Sequence, residues 1–228
     1  MWQALHAELS PSGFSVVTVA LDTDIEAARP FHEAAQPTHP SLVDSALSLV
    51  DTFGMTNVPF GVWIDETGTI VRPAEVAFAP PEQSDPRSRP IPPDLSPEQR
   101  RVIDGMTRST GDRHRYVAAV RDWVAKGADS EFVLDPAEVI ARSRPRSRGA
   151  ATAAAEYELG QHLHRAGHPL DAVAHFEAAH RLDPENWSYA RNAYAIVDRE
   201  TMGNPYGTDL LTEVGRVGPE TFYPELDL

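Results

Sequence analysis

Cysteine is absent from the 228 residues of this chain. Its absence excludes disulfide bonds, cysteine-ligated zinc or iron–sulfur centres, and a thiol nucleophile within the chain. Lysine occurs once, at Lys126, and Arg29 is the only lysine or arginine among the first 70 residues. The formal net charge is −14. Because this charge would repel a polyanion such as DNA, we expect no nucleic-acid partner.

Long apolar runs are missing as well. No stretch of the sequence approaches the roughly 20 apolar residues that a membrane-spanning helix needs. The first residues also lack the basic and apolar parts of a secretory signal. The sequence therefore predicts a cytoplasmic protein that makes no membrane contact.

The motifs of several common enzyme classes are absent too. The sequence contains no glycine-rich phosphate loop, no Gly-x-Ser-x-Gly turn and no His-Glu-x-x-His motif. His164 and His168 have a spacing that can ligate zinc on a helix, but no acidic residue lies between them. The sequence therefore predicts no catalytic residue, no cofactor and no metal ligand.

Apolar spacing predicts alternating helices and strands near the start of the chain. Residues 1–9 have the pattern of an amphipathic helix. Residues 14–21 are almost continuously apolar, as in a strand that is buried on both faces. Asp22 and Asp24 can cap a helix that runs to about Ala35, with Pro30 tolerated only near its first turn.

A second group of elements is predicted before residue 79. Residues 42–44 lead into a helix that ends near Phe53, and Asp44 is the candidate for its cap. Residues 60–64 and 69–72 are predicted as two strands, joined by the hairpin turn 65–68.

The middle of the chain is rich in proline. Residues 80–97 hold seven prolines and predict a long loop or linker. Residues 98–148 predict connecting helices, including one over 113–125 and one capped by Asp135. The basic run that ends this region, 142–148, is either a solvated linker or a segment that pairs with the acidic N-terminal half.

The region 153–186 carries small, apolar and helix-ending residues at fixed positions: Gly160, Ala172, Phe176, Ala179 and Pro184. This pattern resembles a tetratricopeptide repeat, a 34-residue pair of helices. The resemblance implies that Gly160 and Ala172 lie where the two helices touch, and that residues 186–198 form a capping helix. Because one repeat cannot bury its own apolar face, we expect it to pack on the first region, on the helix 113–125 or on another chain.

Four sequence blocks occur in order in the first 72 residues: Val16–Asp22, Pro40–Asp44, Phe53–Pro59 and Ile64–Val71. Together they resemble the thioredoxin-like fold in its TlpA/ResA or redoxin branch. The resemblance implies an α/β domain in which Pro59 follows a cis peptide bond and lines the active site. It also implies that the residue before this proline can bond the backbone of a substrate.

The chain departs from that family at its first residues. In the family, a strand and a Cys-x-x-Cys or related motif stand directly before the first helix, and here only Met1 precedes that helix. The missing strand would lie between the strands 14–21 and 60–64. Three explanations stay open: a start upstream of Met1, an upstream selenocysteine, or a lost redox site whose gap another segment fills, such as residues 74–79. We expect a sheet completed by another segment, by strand exchange between two chains, or by a changed strand order.

The predicted architecture is an α/β thioredoxin-like domain followed by a small all-α tetratricopeptide-like module. The predicted boundaries are residues 1–79 for the core, with an extension to about 127 as an alternative, 80–97 for the linker, 98–148 for connecting helices, 149–200 for the helical module and 201–228 for a C-terminal tail.

Candidate binding residues come from the two resemblances. The first implies three loop residues: Asn57, Val58 and Pro59. The second implies four residues on a concave, peptide-binding groove: Tyr157, Gln161, His164 and Arg165. Packing between the two domains is the alternative role of the second set.

We therefore expect a redoxin-family protein without a redox nucleophile, which acts as an interaction or accessory protein for a protein or peptide partner. Two copies could associate through the helical module or by strand exchange. The alternative is a thiol or selenol oxidoreductase or peroxidase whose active-site motif lies upstream of Met1.

Overall fold

Strands and helices alternate in the first third of the chain, and helices dominate the remainder. The computed structural model describes residues 2–79, 96–97, 100–101, 112–143, 146–197, 210–222, 224 and 226–228. Its strands are β1 (Thr18–Ala20), β2 (Ser41–Val43), β3 (Phe60–Ile64) and β4 (Ile70–Val76). Its helices are α1 (Trp2–Leu9), α2 (Ile25–Ala35), α3 (Ser48–Phe53), α4 (Asp112–Lys126), α5 (Pro136–Arg142), α6 (Arg148–Arg165), α7 (Pro169–Leu182), α8 (Trp187–Val197), α9 (Leu210–Val217) and α10 (Pro219–Phe222). The protein is thus of mixed α/β type with a helical part.

Two of the predicted segments cannot be compared with the structure. The linker 80–97 lies outside the described residues except for Ser96 and Pro97, and residues 201–209 of the predicted tail lie outside them entirely.

Aspartate side chains accept backbone N–H groups at the start of three helices. Asp24 accepts the backbone N–H two residues later at 2.9 Å, and Asp44 accepts the Leu49 N–H at 2.7 Å. Asp135 accepts two N–H groups of the first turn of α5, at 2.8 and 3.0 Å. Each contact satisfies a donor that the first helical turn leaves free. Asp24 and Asp135 are N-cap residues, so their predicted roles are confirmed. The N-cap position of α3 is Leu47, and Asp44 reaches the first turn from upstream of it.

Helix α2 continues through Pro30, the sixth of its eleven residues, so the expected position of this proline in the first turn is wrong. Proline removes one helical hydrogen bond. None of the residues of α2 is buried. Water can therefore satisfy the carbonyl that the proline leaves without a donor.

The strands form two separate pairs within the described residues. β1 and β2 are parallel, with Val19 opposite Leu42. β3 and β4 form an antiparallel hairpin, with Trp63 opposite Arg72. The hairpin turn closes through Asp65, whose carboxylate accepts two turn N–H groups at 2.9 Å, as the sequence predicts.

Three expectations about strands are wrong. β1 covers three residues instead of 14–21, and Val17 beside it is exposed, because β2 is the only strand that pairs with it in the described chain. Residues 41–43, expected to lead directly into a helix, form a strand because their backbone pairs with β1, and the helix begins only at Ser48. Residues 74–76 belong to β4, so the segment 74–79 does not fill a gap between β1 and β3.

The first hydrophobic core joins the β3–β4 hairpin to α1 and α4. Trp63 stacks on Trp123 with ring centroids 4.9 Å apart, and its indole N–H donates to the Tyr116 hydroxyl at 2.9 Å. Leu5 of α1 is fully buried in the same cluster. The amphipathic pattern predicted for α1 and the helix predicted over residues 113–125 are therefore confirmed.

The second core joins α6, α7 and α8 to the first region. A Cβ on Gly160 would lie 2.7 Å from the Phe176 ring, so the close approach of α6 and α7 requires glycine at this position. Leu21, Leu47 and Val50 of the first region are buried in the same cluster. The helical part therefore packs on the first region, which is one of the outcomes expected for it.

Candidate binding surface

The first region of the chain, residues 2–79, exposes several large apolar side chains. We call five of them, on or beside β1, β2 and α2, the N-terminal apolar surface: Val17, Ile25, Phe31, Leu42 and Val43. Leu42 and Val43 are consecutive in β2, so their side chains project from opposite faces of the strand pair. Phe31 is 78% exposed. Single exposed apolar residues are ordinary on protein surfaces, but a concentration of them marks an interaction site.

Short, open secondary structure explains this exposure. β1 and β2 have three residues each, and in the described part of the chain each pairs only with the other. The α2 helix contacts β2, yet its Phe31 points to solvent. The surface therefore combines apolar side chains with strand edges that carry backbone donors and acceptors.

The surroundings of this surface are acidic. Residues 1–70 contain nine aspartates and glutamates but only one arginine or lysine, Arg29. Arg29 forms a two-pronged ion pair with Glu26, at 2.7 and 2.8 Å, so its charge is matched locally. The remaining carboxylates give the first region a negative potential that attracts basic groups.

A buried histidine joins α1 to the β1–β2 pair. His39 Nδ1 lies 3.1 Å from Gln3 Oε1, and its Nε2 lies 3.3 Å from Thr18 Oγ1. The His6 ring packs edge-on against it, with centroids 5.4 Å apart. Burial lowers the pKa of His39, and the nearby His6 lowers it further. The contact between α1 and the strands therefore favours the neutral form of the His39 ring.

The loop residues implied by the thioredoxin-like resemblance lie beside the helical part. The Val58–Pro59 bond is cis, and Pro59 is exposed. Asn57 is buried and donates from Nδ2 to the Phe222 carbonyl at 2.9 Å. Val58 packs against the second core. Of the three residues, only Pro59 presents a surface to a partner.

The four residues implied by the tetratricopeptide resemblance fall into two groups. Tyr157 and Gln161 are buried, and Gln161 Nε2 donates to the Ser45 carbonyl of the first region at 3.1 Å. His164 is half-buried and Arg165 is exposed. Contact with the first region therefore occupies the face of α6 that carries Tyr157 and Gln161, as in the alternative of domain packing.

A cleft at the junction of the two parts was not singled out by the sequence. Arg146 Nη2 lies 2.6 Å from Asp51 Oδ1, and the Tyr189 hydroxyl bonds to the same carboxylate. These groups line a cavity of about 330 Å³ between residues 50–56 and the starts of α6 and α8. In the sequence, the only signal for this cleft is the possible pairing of the basic run 142–148 with the acidic N-terminal half.

The chemistry of this cleft favours a structural link. Burial and the hydrogen bond to Asp51 raise the pKa of the Tyr189 hydroxyl. The hydroxyl therefore stays protonated at neutral pH and is a poor nucleophile. Asp51 and its two partners thus connect α3 to α6 and α8.

The described residues offer no cluster of three or more histidine, aspartate and glutamate side chains that could hold a metal ion. His168 instead lies 4.0 Å from the Asp171 carboxylate on α7.

No protein-family model, no curated protein and no solved structure matches the chain. Across the ranges that the structure describes, none of the helices combines the length and apolar character needed to cross a bilayer.

Proposed function

We propose that this protein is an interaction protein that binds a protein or peptide partner through its N-terminal apolar surface. The observation that carries the proposal is the exposure of five large apolar side chains on or beside the β1–β2 pair and on α2. Contact with a partner would remove their area from water, which stabilises a complex by about 25 cal/mol per Å² before the costs of association.

The chemistry of the surface defines the partner. Apolar contacts require apolar side chains on the partner, and the surrounding carboxylates favour lysine or arginine beside them. An extended segment could also pair with the edge of β1 or β2, since such edges accept an added strand. We therefore expect an apolar segment with basic flanks.

The fold class that we propose is thioredoxin-like and redoxin-related, with a tetratricopeptide-like helical module. Supporting features are the order of the strands along the chain, the cis bond before Pro59, and the close contact of Gly160 with Phe176. Because the chain has no cysteine, a thioredoxin-like domain of this sequence would act by binding rather than by thiol exchange.

Affinity purification with matched variants tests this function. Phe31→Glu places a charge on the N-terminal apolar surface, whereas Leu170→Glu places one on α7 at a side chain that is 87% exposed. We expect a specific partner that the wild-type chain and the Leu170→Glu variant retain and the Phe31→Glu variant loses. Identical sets of bound proteins for all three chains would refute the proposal.

A second candidate function is a thiol or selenol oxidoreductase whose nucleophile lies upstream of Met1. The observation that favours it is the division of the described strands into two pairs, with no ladder between β1 and β3. The intact mass of the protein from its own cells distinguishes the two candidates. A mass several kDa above 25.0 kDa, with cysteine or selenocysteine in the added residues, supports the oxidoreductase, and a mass of 25.0 kDa contradicts it.

A further inference from the structure

Arg72 carries a charge in the protein interior. Its side chain is only 1% exposed, which is costly for a guanidinium unless every donor has a partner. Glu75 accepts from its Nε and Nη2 at 2.7 and 2.9 Å, and Nη1 donates to the Phe132 carbonyl at 2.9 Å. The guanidinium also lies over the Trp63 ring, 5.5 Å from its centroid. These contacts fix the direction in which the remaining N–H of Nη2 points.

That N–H binds the main chain of the last residues. Arg72 Nη2 donates to the Asp227 carbonyl at 2.6 Å, and Arg142 Nη1 donates to the same oxygen at 3.1 Å. Arg142 Nη1 also lies 3.0 Å from the Asp227 carboxylate. The Leu226 side chain is buried in the first core, and Leu228 packs against it. Three consecutive residues are thus held by an apolar pocket, a carbonyl contact and an ion pair.

The groove around these residues is ordered by contacts that do not involve them. Leu134 donates its N–H to the Val71 carbonyl at 3.1 Å, which fixes one wall along β4. Glu138 holds Arg142 at 2.6 Å and raises the pKa of that guanidinium. The receptor side is therefore organised before a segment enters, as in peptide-binding sites.

We propose that this groove is a peptide-binding site for extended segments with a leucine, an acidic residue and an apolar residue in succession, and that Leu226–Leu228 is its resident occupant. Recognition needs a main-chain carbonyl for Arg72, a carboxylate for Arg142 and a leucine side chain for the core pocket. A segment of a partner protein that offers these three groups competes with the resident residues. The groove and the N-terminal apolar surface lie on different elements of the fold. This proposal therefore does not rest on the proposed function.

A truncated chain and a synthetic peptide test the proposal. The chain ending at Pro224 is titrated with a fluorescent peptide of residues 222–228, FYPELDL, that carries a C-terminal amide. We expect one peptide to bind each truncated chain. The intact chain should bind it at least about tenfold more weakly, because the tethered segment competes at an effective concentration in the millimolar range.

Matched variants show whether the peptide occupies this groove. In the truncated chain, Arg142→Gln should weaken binding at least about threefold, since it removes the charged partner of the peptide aspartate. Arg181→Gln removes an arginine on α7 whose side chain is 67% exposed and should leave the affinity unchanged. A peptide with the Leu226→Ser change should lose most of its affinity. Failure of the folded truncated chain to bind, or equal affinity for the truncated and intact chains, would overturn the proposal.

A full-length variant gives an independent answer that does not depend on the truncation. Asp227→Lys places a like charge opposite Arg142 and should release the resident segment while the rest of the chain stays intact. We expect this variant to bind the peptide more tightly than the wild-type chain does. The same affinity for both full-length chains would contradict a displaceable occupant.

Discussion

The two strand pairs of this protein differ in what covers them. The β3–β4 hairpin packs against α1 and α4, with Trp63 between the rings of Trp123 and Tyr116. The β1–β2 pair leaves Leu42 and Val43 exposed. Both pairs are built from strongly apolar sequence. The difference shows that an apolar strand becomes part of a core only where the chain supplies elements to cover it.

The contrast also separates scaffold from binding surface. Closely packed aromatic rings and a buried tryptophan–tyrosine hydrogen bond make the hairpin a rigid base. The β1–β2 pair is attached through His39, Gln3 and the second core, and it presents its apolar side chains to solvent. Substitutions in the two pairs should therefore have opposite effects on stability and on binding.

The largest effect should come from Trp63→Ala. Loss of a buried tryptophan from the first core should lower the free energy of unfolding by about 3–5 kcal/mol, as large-to-small core changes do. Urea unfolding measures the effect. As the matched aromatic change, Phe31→Ala should stay within about 0.5 kcal/mol of the wild type. Equal losses in the two variants would contradict the difference between the sheets.

A methyl group added to the packed hairpin should reveal the same contrast with a smaller loss of unfolding free energy. A Cβ on Gly61 of β3 would lie 2.8 Å from the Ala77 Cβ and 3.1 Å from the Tyr116 hydroxyl. Gly61→Ala should therefore cost about 1–3 kcal/mol of unfolding free energy. Leu42→Ala on the exposed pair changes more atoms than Gly61→Ala does, but it should lower the unfolding free energy by less. A thermal scan of both variants decides the order.

The pH dependence of stability should carry a contribution from His39. Because its pKa is lowered in the folded state, the unfolded chain takes up a proton near the usual histidine pKa of 6.5 that the folded chain does not. Acidification through this range therefore favours unfolding. His39→Gln should unfold with a shallower dependence on pH between about 7 and 5. The same slope for variant and wild type would show that His39 does not titrate differently on unfolding.

The smallest effect on stability should follow from Phe31→Ser. This change removes exposed apolar area and should alter the unfolding free energy by less than about 0.5 kcal/mol. It should nevertheless reduce partner binding, measured by recovery of the partner in affinity purification. Ile140→Ser, which also removes an exposed apolar side chain, is the matched control and should leave recovery unchanged.

Local signals in the sequence predict many of the individual elements. Asp24 and Asp135 cap helices as expected, because capping depends on residues within one turn. The close approach of α6 and α7 at Gly160 agrees with what the resemblance to a tetratricopeptide repeat implies. The length of β1 could not be predicted in this way, since a strand extends only where a neighbouring strand is available to pair with it.

The candidate sites depend on long-range contacts and were less accessible to sequence analysis. Gln161 is buried because Ser45, which is distant in sequence, lies against α6. The Arg72 groove joins β4, α5 and the last residues, and a lone arginine in a strand gives no sign of such partners. Phe31 is likewise exposed because none of the described elements covers this side chain of α2. Apolar periodicity in the sequence does not show which elements pack against each other.

Photo-crosslinking in the protein's own cells tests the central claim most directly. A photoreactive phenylalanine analogue is placed at position 31 in one chain and at position 170 in another, both at highly exposed sites. We expect position 31 to crosslink to a discrete partner through a segment with apolar and basic residues, and position 170 not to do so. Identical crosslinking at the two positions, or none at position 31, would contradict a binding role for the N-terminal apolar surface.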